Sequence, residues 1–558
     1  MASAAVVRPA SGTALTGYRW PRLAVAVVTG RRSARSGVIW GLVFGLYVYD
    51  NAFSFDSIAP TAGRRDALLT AMAGNTGLKA LLGDTRGITT LGGFTDWRAI
   101  GVITLVASIW GLLTATRALR GEEAAGRWEL FLAGQTTARR AAAGALAGLG
   151  AGMAVMFLAT AALTAVVGAN PRVGFGVAQS LLFAAAAVAG AAIFAAVGAL
   201  ASELMATRSR ATGLAAAGFG ISFLLRALGD ATPSAHWLVR LSPLGWVELI
   251  HPLTGADPVW LIPIAVLIAG CCVATLLLAD RDLGASVLAD KDTARPRTAL
   301  LCNSLLFTVR LVRGQVAAWL AGAILAGLLY GSFARAAGRA FASSPLIKKI
   351  TGGITAAPAR LLQVQGARVY AGVVFLILMT LIMAYVASAV SRARDDEAAG
   401  YLDNLLVRRV SRLGWLAGST ALILAVTLVA GVAGGVAFWA GAAAQHSGLH
   451  LHELLLAGLN GAVPAVALLG IGVGVLGFAP RLTAFACWGI LAWAFLIDML
   501  GSAIKVNHWV MDTSLLRHVA LAPAVGPDWP IAGIYLAIGC AAAALGAWRF
   551  TRRDLASG

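Results

Sequence analysis

Six carboxylates form the clearest chemical pattern in the sequence, because the chain contains the same acidic motif twice. The first copy reads Arg-Gly-Glu-Glu-Ala-Ala-Gly-Arg-Trp-Glu-Leu-Phe-Leu, and the second follows 274 positions later. The acidic positions are Glu122, Glu123, Glu129, Asp396, Glu397 and Asp403. Carboxylates grouped in this way can pair with a basic protein surface, or they can cap a helix and pair with neighbouring arginines. Because capping does not require the same pattern twice, we favour the protein surface.

The apolar residues of both copies have helical spacing. They follow one another at i, i+3 and i+4, which places them on one face of a helix. These residues are Trp128, Phe131 and Leu132 in the first copy and Leu402, Leu405 and Leu406 in the second. Each copy also keeps an Ala-Ala-Gly step that ends at Gly126 or Gly400. The pattern predicts a short amphipathic helix in each copy, with carboxylates in its first turn.

Composition places these helices beside a membrane. The chain is 59% hydrophobic and only 12% charged, and it contains many apolar runs long enough to cross a bilayer. Its net charge of +19 lies mostly in short segments between those runs, as in membrane proteins that keep basic loops inside the cell. We therefore expect an integral membrane protein and no nucleic-acid partner. The five cysteines lack metal-ligand spacing.

The apolar runs predict an all-α protein with about 12 spans. We place six of them in residues 1–280 and six in residues 298–558, joined by a polar linker at 281–297. They are expected near 36–54, 99–116, 140–168, 175–202, 211–229, 259–280, 315–334, 371–391, 414–442, 454–478, 483–503 and 531–548. Interfacial helices are expected before the first and seventh spans, at Tyr18 to Arg35 and Thr298 to Arg313.

The repeat extends beyond the acidic motif, which predicts two tandem halves. Arg281-Asp282-Leu283 recurs as Arg553-Asp554-Leu555, and Phe223-Leu-Leu-Arg226 recurs as Phe495-Leu-Ile-Asp498. Six spans per half predict a pseudo-twofold axis along the membrane normal. The basic loops favour cytoplasmic termini at the plasma membrane, although the basic loop 335–370 opposes this orientation. Because Arg226 and Asp498 occupy matching positions, we expect an ion pair between the halves that serves as an outer gate. In the local alternative, Arg226 pairs with Asp230 one turn later or extends outward, and Asp498 contacts Ser502 and water.

Catalytic and metal-binding patterns are scarce. The sequence has no G-x-x-x-x-G-K-[ST] loop for nucleotide phosphates, so the chain should not hydrolyse ATP by itself. His446, His450 and His452 have spacing that resembles a metal site, but solvated loop histidines explain them better, and we expect no metal. A membrane-embedded enzyme would need convergent acids or histidines, and none repeat or cluster convincingly.

The acidic motif, Leu-Ser-Pro-Leu-Gly-Trp at 241–246 and the Phe-Leu-Leu-Arg segment resemble the type-2 family of ABC exporter permeases. They are most similar to the fused, double-length actinobacterial forms that export polyketide antibiotics such as tetronasin. The resemblance implies that the motif helices are coupling helices for two copies of a separate ATP-binding subunit, which holds ATP and Mg. Hydrophobic or amphipathic drugs and antibiotics would be the substrates, and efflux would confer resistance.

Family geometry also implies a substrate path. Spans two, five, eight and eleven would face one another and bring aromatic and methionine side chains toward a central route. These residues are Trp110, Phe219, Phe223, Phe375, Met379, Met383, Trp488, Trp493 and Phe495. For any single residue, simple packing is an equally good explanation. The alternative function is a proton-driven secondary transporter with major-facilitator architecture, which would need acidic or histidine relays within its spans.

Overall fold

The protein is all-helical in the part of the chain that its structure, a computed structural model, describes. That part comprises residues 23–58, 61–63, 65–66, 69, 79–80, 82–133, 136–282, 284–288, 300–301, 303–341, 359–407, 410–500 and 507–554. Every regular element within it is a helix, and twelve helices are long and apolar enough to cross a membrane. The predicted all-α fold with about 12 spans is confirmed.

The chain forms two compact units. Unit one comprises Met1–Asp66 and Lys79–Thr293, and unit two comprises Ala67–Leu78 and Ala294–Gly558. The change from one unit to the other at residue 293 falls within the predicted linker at 281–297. The pseudo-twofold axis between the halves stays a prediction.

Unit one contains spans one to six. Their helices are Ala24–Ile58, Leu91–Thr116, Ala138–Gly168, Val177–Leu204, Arg208–Ala231 and Leu261–Leu278. Between spans five and six the chain forms the short helices Pro233–Leu241, Pro243–Glu248 and Pro258–Trp260.

Unit two contains spans seven to twelve. Their helices are Ser304–Gly331, Ala359–Ala398, Arg412–Ala444, Leu451–Phe478, Thr483–Leu500 and Trp529–Arg552. The shorter helices Ala334–Phe341, Pro480–Leu482 and His508–Met511 lie between them.

The two predicted interfacial helices are not separate elements. Span one is one continuous helix from Ala24, and span seven is one continuous helix from Ser304. Neither helix contains a proline, so no missing backbone N–H interrupts the ladder of hydrogen bonds at its first arginines. The basic residues predicted to lie on the membrane surface are thus early turns of the spans. Residues 18–22, 298–299 and 302 lie outside the described residues.

Small residues bring pairs of spans into close contact. In unit one a Cβ atom at Gly41 would lie 2.8 Å from the Met156 carbonyl oxygen of span three. In unit two a Cβ atom at Gly327 would lie 2.6 Å from the Gly434 carbonyl oxygen of span nine. Such backbone approach is typical of helix pairs in membranes. It fixes span one against span three, and span seven against span nine.

Candidate functional site: the two acidic turns

The first acidic turn, residues 120–132, is a helix end followed by a sharp reversal. Span two continues through a π-helical turn, Arg117–Gly121, and ends in Glu122–Ala124. Gly126 has a φ of +71°, a left-handed conformation that glycine adopts without a steric penalty. A short helix, Arg127–Leu132, follows it. The prediction that Glu122 and Glu123 lie in the first turn of the amphipathic helix is therefore wrong, because Gly126 separates them from it.

The second acidic turn, residues 394–406, repeats this geometry. Span eight ends at Ala398, Gly400 has a φ of +73°, and the short helix Tyr401–Leu406 follows. Asp396 and Glu397 thus lie in the last turn of span eight. The two copies of the motif fold alike, and in each the third acid, Glu129 or Asp403, lies on the short helix itself.

Glu123 is the centre of a buried ion cluster, which we name the first clamp. Its carboxylate accepts two hydrogen bonds of 2.8 Å from the Arg281 guanidinium, which lies just after span six. It also accepts from the Gly284 backbone N–H at 2.9 Å and from Arg120 at 2.9 Å. Only 6% of the Glu123 side chain is exposed. This carboxylate binds residues of its own unit, so it does not belong to an exposed docking surface.

Further contacts join the first clamp to span four. Arg281 donates from Nε to Glu203, at the end of span four, at 2.8 Å. Arg120 donates to the Ala206 carbonyl oxygen at 2.6 and 3.0 Å. Burial lowers the pKa of Arg281, but the hydrogen bond and charge of Glu123 and the charge of Glu203 outweigh burial and raise it above its ordinary value. The clamp therefore ties together the ends of spans two, four and six.

The second clamp joins Glu397 to Arg553, the counterparts of Glu123 and Arg281 in the repeat. The Arg553 guanidinium donates to the Glu397 carboxylate at 2.5 and 2.7 Å, and the Glu397 side chain is completely buried. Arg553 also donates to the Leu476 carbonyl oxygen of span ten at 3.2 Å. Both units thus fasten the end of their second helix to the segment after their sixth. The sequence showed the two repeated elements but not that they bind each other.

Buried apolar side chains fasten the short helices to their units. Trp128 is 5% exposed and packs in a cluster with Val25, Leu119 and several alanines. Leu402 is 1% exposed and belongs to the hydrophobic core of unit two, against which Leu405 and Leu406 pack. Trp128 and Leu402 therefore anchor the short helices to the apolar cores of their own units, whereas the sequence predicted them as docking residues. The side chain of Phe131 lies outside the described residues.

The exposed face of each short helix contains residues that the apolar periodicity missed. In unit one Glu129 is exposed, and Leu130 beside it is 78% exposed. In unit two Asp403 is exposed, and Val407, just after the helix, is 90% exposed. Leu130 lies outside the i, i+3, i+4 series, and that mismatch is the signal that it faces outward. Leu132 is half-buried.

Glu122 and Asp396 occupy matching positions in different surroundings. Glu122 accepts a hydrogen bond of 2.9 Å from Arg32 of span one and another from Arg127. The hydrogen bond to Glu122 raises the pKa of Arg127. Asp396 is half-buried and lines a cavity of about 950 Å³ within unit two. In unit one the acid is paired with two arginines, whereas its counterpart in unit two lines a cavity without such a pair among the described residues.

Similarity to known proteins identifies the family. The family model described as multidrug efflux system permease Rv1217c, C-terminal domain, matches residues 24–277 and 301–551. The chain is also 30% identical over 518 residues to the multidrug efflux system permease protein Rv1217c of Mycobacterium tuberculosis strain H37Rv. That alignment covers 90% of this chain and 89% of the relative. The chain belongs to this family of multidrug efflux permeases. It is a multi-pass membrane protein and a transport protein rather than an enzyme.

At the opposite end of unit one, Arg226 of the permease lies among acids of its own unit. Its guanidinium is 3.8 Å from Asp230, one turn later in span five, and 3.9 Å from Glu248. It also donates to the Ala80 carbonyl oxygen at 3.4 Å. These are local partners of the kind that the sequence left open. The side chain of Asp498 lies outside the described residues, so the gate between the halves stays a prediction.

The predicted substrate-path residues fall into two groups in the permease. Trp110, Phe375, Met379 and Met383 are buried, and the two methionines belong to the core of unit two. Phe219 and Phe223 are half-buried, and Trp488, Trp493 and Phe495 are more than a third exposed. For the methionines, packing accounts for the position. The path itself stays a prediction.

Proposed function

We propose that the permease is the membrane subunit of an ATP-driven exporter of the type-2 ABC class, and that two copies of an ATP-binding subunit dock on its acidic turns. The observation that supports docking is the exposed tip of each short helix. Glu129 with Leu130, and Asp403 with Val407, place a carboxylate beside an exposed apolar side chain. A tip held rigidly by a buried anchor suits contact with another protein.

The clamps supply a mechanical link from such a contact to the spans. Glu123, Arg281 and Glu203 connect the first acidic turn to the ends of spans two, four and six. A displacement imposed on the turn therefore moves three helices together, since buried charge-assisted hydrogen bonds resist separation. Glu397 and Arg553 perform this role in unit two.

Under this proposal the acidic turns and both termini lie on the cytoplasmic side of the plasma membrane. ATP and Mg²⁺ are held there by the partner subunits, because the permease sequence has no phosphate-binding loop. The substrates are hydrophobic or amphipathic compounds, with polyketide antibiotics of the tetronasin type as the finer expectation. The relative in Mycobacterium tuberculosis bears the name multidrug efflux system permease, which supports this broad class.

Substitutions at the exposed tips test docking without disturbing the clamps. Glu129→Lys combined with Leu130→Asp should prevent ATP-stimulated drug efflux from cells while leaving the amount of permease in the membrane unchanged. Val525→Asp is a matched control, because Val525 is 48% exposed in the loop before span twelve, far along the chain from both turns. Full ATP-dependent efflux in the tip variant would contradict docking at this surface.

A proton-driven transporter is the second candidate, and two buried acids favour it. Asp96 is 6% exposed in span two, and Asp230 is 9% exposed at the end of span five. Acids inside membrane helices often serve proton relays. In proteoliposomes, transport driven by a pH gradient without ATP, and abolished by Asp96→Asn or Asp230→Asn, would support this candidate over the first.

A further inference from the structure

A cavity of about 950 Å³ opens within unit two, beside the second acidic turn. Spans seven, eight and nine and the short helix Tyr401–Leu406 enclose it. Phe307, Tyr385 and Trp415 supply aromatic walls, and Leu311, which is 61% exposed, lies at its rim. A volume of this size accommodates a drug-sized or lipid-sized molecule. Most of the lining is apolar, so the occupant must have a substantial apolar part.

The corresponding space in unit one is smaller and contains more positive charge. It measures about 450 Å³ and is lined by Arg32, Arg35, Arg117, Glu122 and Trp128, among others. In the second copy of the motif, Leu402 replaces the tryptophan, and Tyr401 replaces Arg127, one of the two arginines that bind Glu122. The smaller leucine leaves space, and the tyrosine cannot supply Asp396 with the charge that Arg127 supplies to Glu122.

Two opposite charges line the unit-two cavity on one face of span eight. Arg392 and Asp396 are one helical turn apart, which is about 6 Å along the axis. Within the part of the chain that the structure describes, neither has a hydrogen bond or salt bridge to another side chain. Toward the middle of the span, Ala389 and Tyr385 continue the same wall. The order along the helix is therefore anion, cation, apolar surface.

We propose that this cavity binds a zwitterionic phospholipid of the ethanolamine type from the surrounding leaflet. Its ammonium group pairs with Asp396, its phosphate pairs with Arg392, and an acyl chain lies along Phe307, Leu311 and Trp415. In such a lipid the ammonium, the phosphate and the chains follow one another in the same order as the groups on the cavity wall. Charge-assisted hydrogen bonds to the ammonium and the phosphate of the head group supply selectivity over lipids that lack the ammonium. The site needs only a membrane and not ATP or a partner subunit.

Native mass spectrometry of the full chain, released from lipid nanodiscs, tests the site. The discs contain phosphatidylethanolamine and phosphatidylglycerol with identical acyl chains, so only the head groups differ. The unaltered chain should retain phosphatidylethanolamine at least fivefold more than phosphatidylglycerol. Asp396→Asn should remove that preference, and Arg392→Gln should reduce retention of both lipids. Asp395→Asn is the matched control, because Asp395 is an exposed carboxylate next in sequence that does not line the cavity.

Equal retention of the two lipids by the unaltered chain, or an unchanged preference in Asp396→Asn, would overturn the proposal. Ser419→Trp provides a second variant, since it fills the cavity from span nine without touching either charge, and it should also lower retention of phosphatidylethanolamine.

Competition with rhodamine 6G, a soluble amphipathic cation, distinguishes a membrane lipid from a soluble amphiphile as the occupant of the cavity. If rhodamine 6G displaces the lipid only when Asp396 is intact, the cavity also accepts soluble ammonium-type amphiphiles. If rhodamine 6G does not displace phosphatidylethanolamine, and lipid retention still depends on Asp396, the cavity binds the lipid alone. Because the chain is measured alone, failure here leaves ATP-driven export untouched.

Discussion

The Glu123 carboxylate binds the Arg281 guanidinium through two hydrogen bonds of 2.8 Å, and Glu397 binds Arg553 in the same way in the other unit. Each pair joins the end of the second helix of a unit to the segment after its sixth helix. The acids that the sequence marks most strongly are thus divided between two tasks. One acid of each motif fastens the unit internally, and another, Glu129 or Asp403, faces outward.

The clamps should contribute strongly to stability. Glu123→Gln leaves the buried Arg120 without its carboxylate partner, and Glu397→Gln does the same to Arg553. Loss of one partner from a buried ion pair costs about 3–5 kcal/mol. We expect a clear fall in the thermal unfolding temperature of the purified chain in detergent, measured by intrinsic fluorescence. Glu129→Gln is the control, because that side chain is exposed. Equal unfolding temperatures for Glu123→Gln and Glu129→Gln would contradict the clamp.

The buried anchors and the exposed tips should respond in opposite ways. Trp128→Ala should destabilise the chain by about 3–5 kcal/mol, and Leu402→Ala by about 2–5 kcal/mol, because each leaves a cavity under a short helix. Leu130→Ala should change stability by less than about 0.5 kcal/mol, since its side chain already faces solvent. Denaturant or thermal unfolding measures these changes in stability. For the tip variant Leu130→Ala, we expect loss of ATP-stimulated efflux without loss of stability.

Low pH should reduce the folding stability of unit one, partly through protonation of His251. Burial lowers the pKa of this half-buried imidazole below its ordinary value of 6.5, against the opposing charge of Glu248. The folded state therefore binds fewer protons than the unfolded state, and the contribution to stability is present above pH 6.5 and declines as the pH falls below it. His251→Gln should show a shallower fall in unfolding temperature between about pH 7 and 5. An identical pH profile in the variant would contradict this role.

Charge-swap variants distinguish two hypotheses for Arg226, the gate between the halves and the local ion network. If Arg226 pairs with Asp498 during transport, Arg226→Asp and Asp498→Arg should each impair efflux, and the double variant should recover part of it. If Asp230 and Glu248 are its functional partners, Arg226→Asp brings three acids together and the double variant recovers nothing. Efflux by cells that produce equal amounts of each variant decides between them.

Much of the architecture could be predicted from the sequence. Twelve apolar runs predicted the twelve span helices, because the bilayer requires long uninterrupted apolar helices. Element ends were less accurate, since charged turns at span ends continue the helix when no proline or glycine stops it. Span eight, for example, ends at Ala398 although the prediction ended it at residue 391.

The candidate site was predicted in outline but not in its division of tasks. Motif spacing located both acidic turns, yet Glu123 and Trp128 were expected to face outward. Their partners, Arg281 and Val25, are distant in the sequence, and a local periodicity contains no information on such tertiary contacts. Gly126 has a positive φ, and this turn breaks the helical register that the prediction extended across it.

The central claim is that two ATP-binding subunits dock on one chain through the exposed tips. The most direct measurement is the mass of the complex purified from native membranes through a tag on the permease. We expect two copies of an ATP-binding protein for each chain, and one copy when Asp403→Lys and Val407→Asp remove the tip of unit two. A chain that carries no ATP-binding protein and still transports drugs into proteoliposomes on a proton gradient alone would contradict the account.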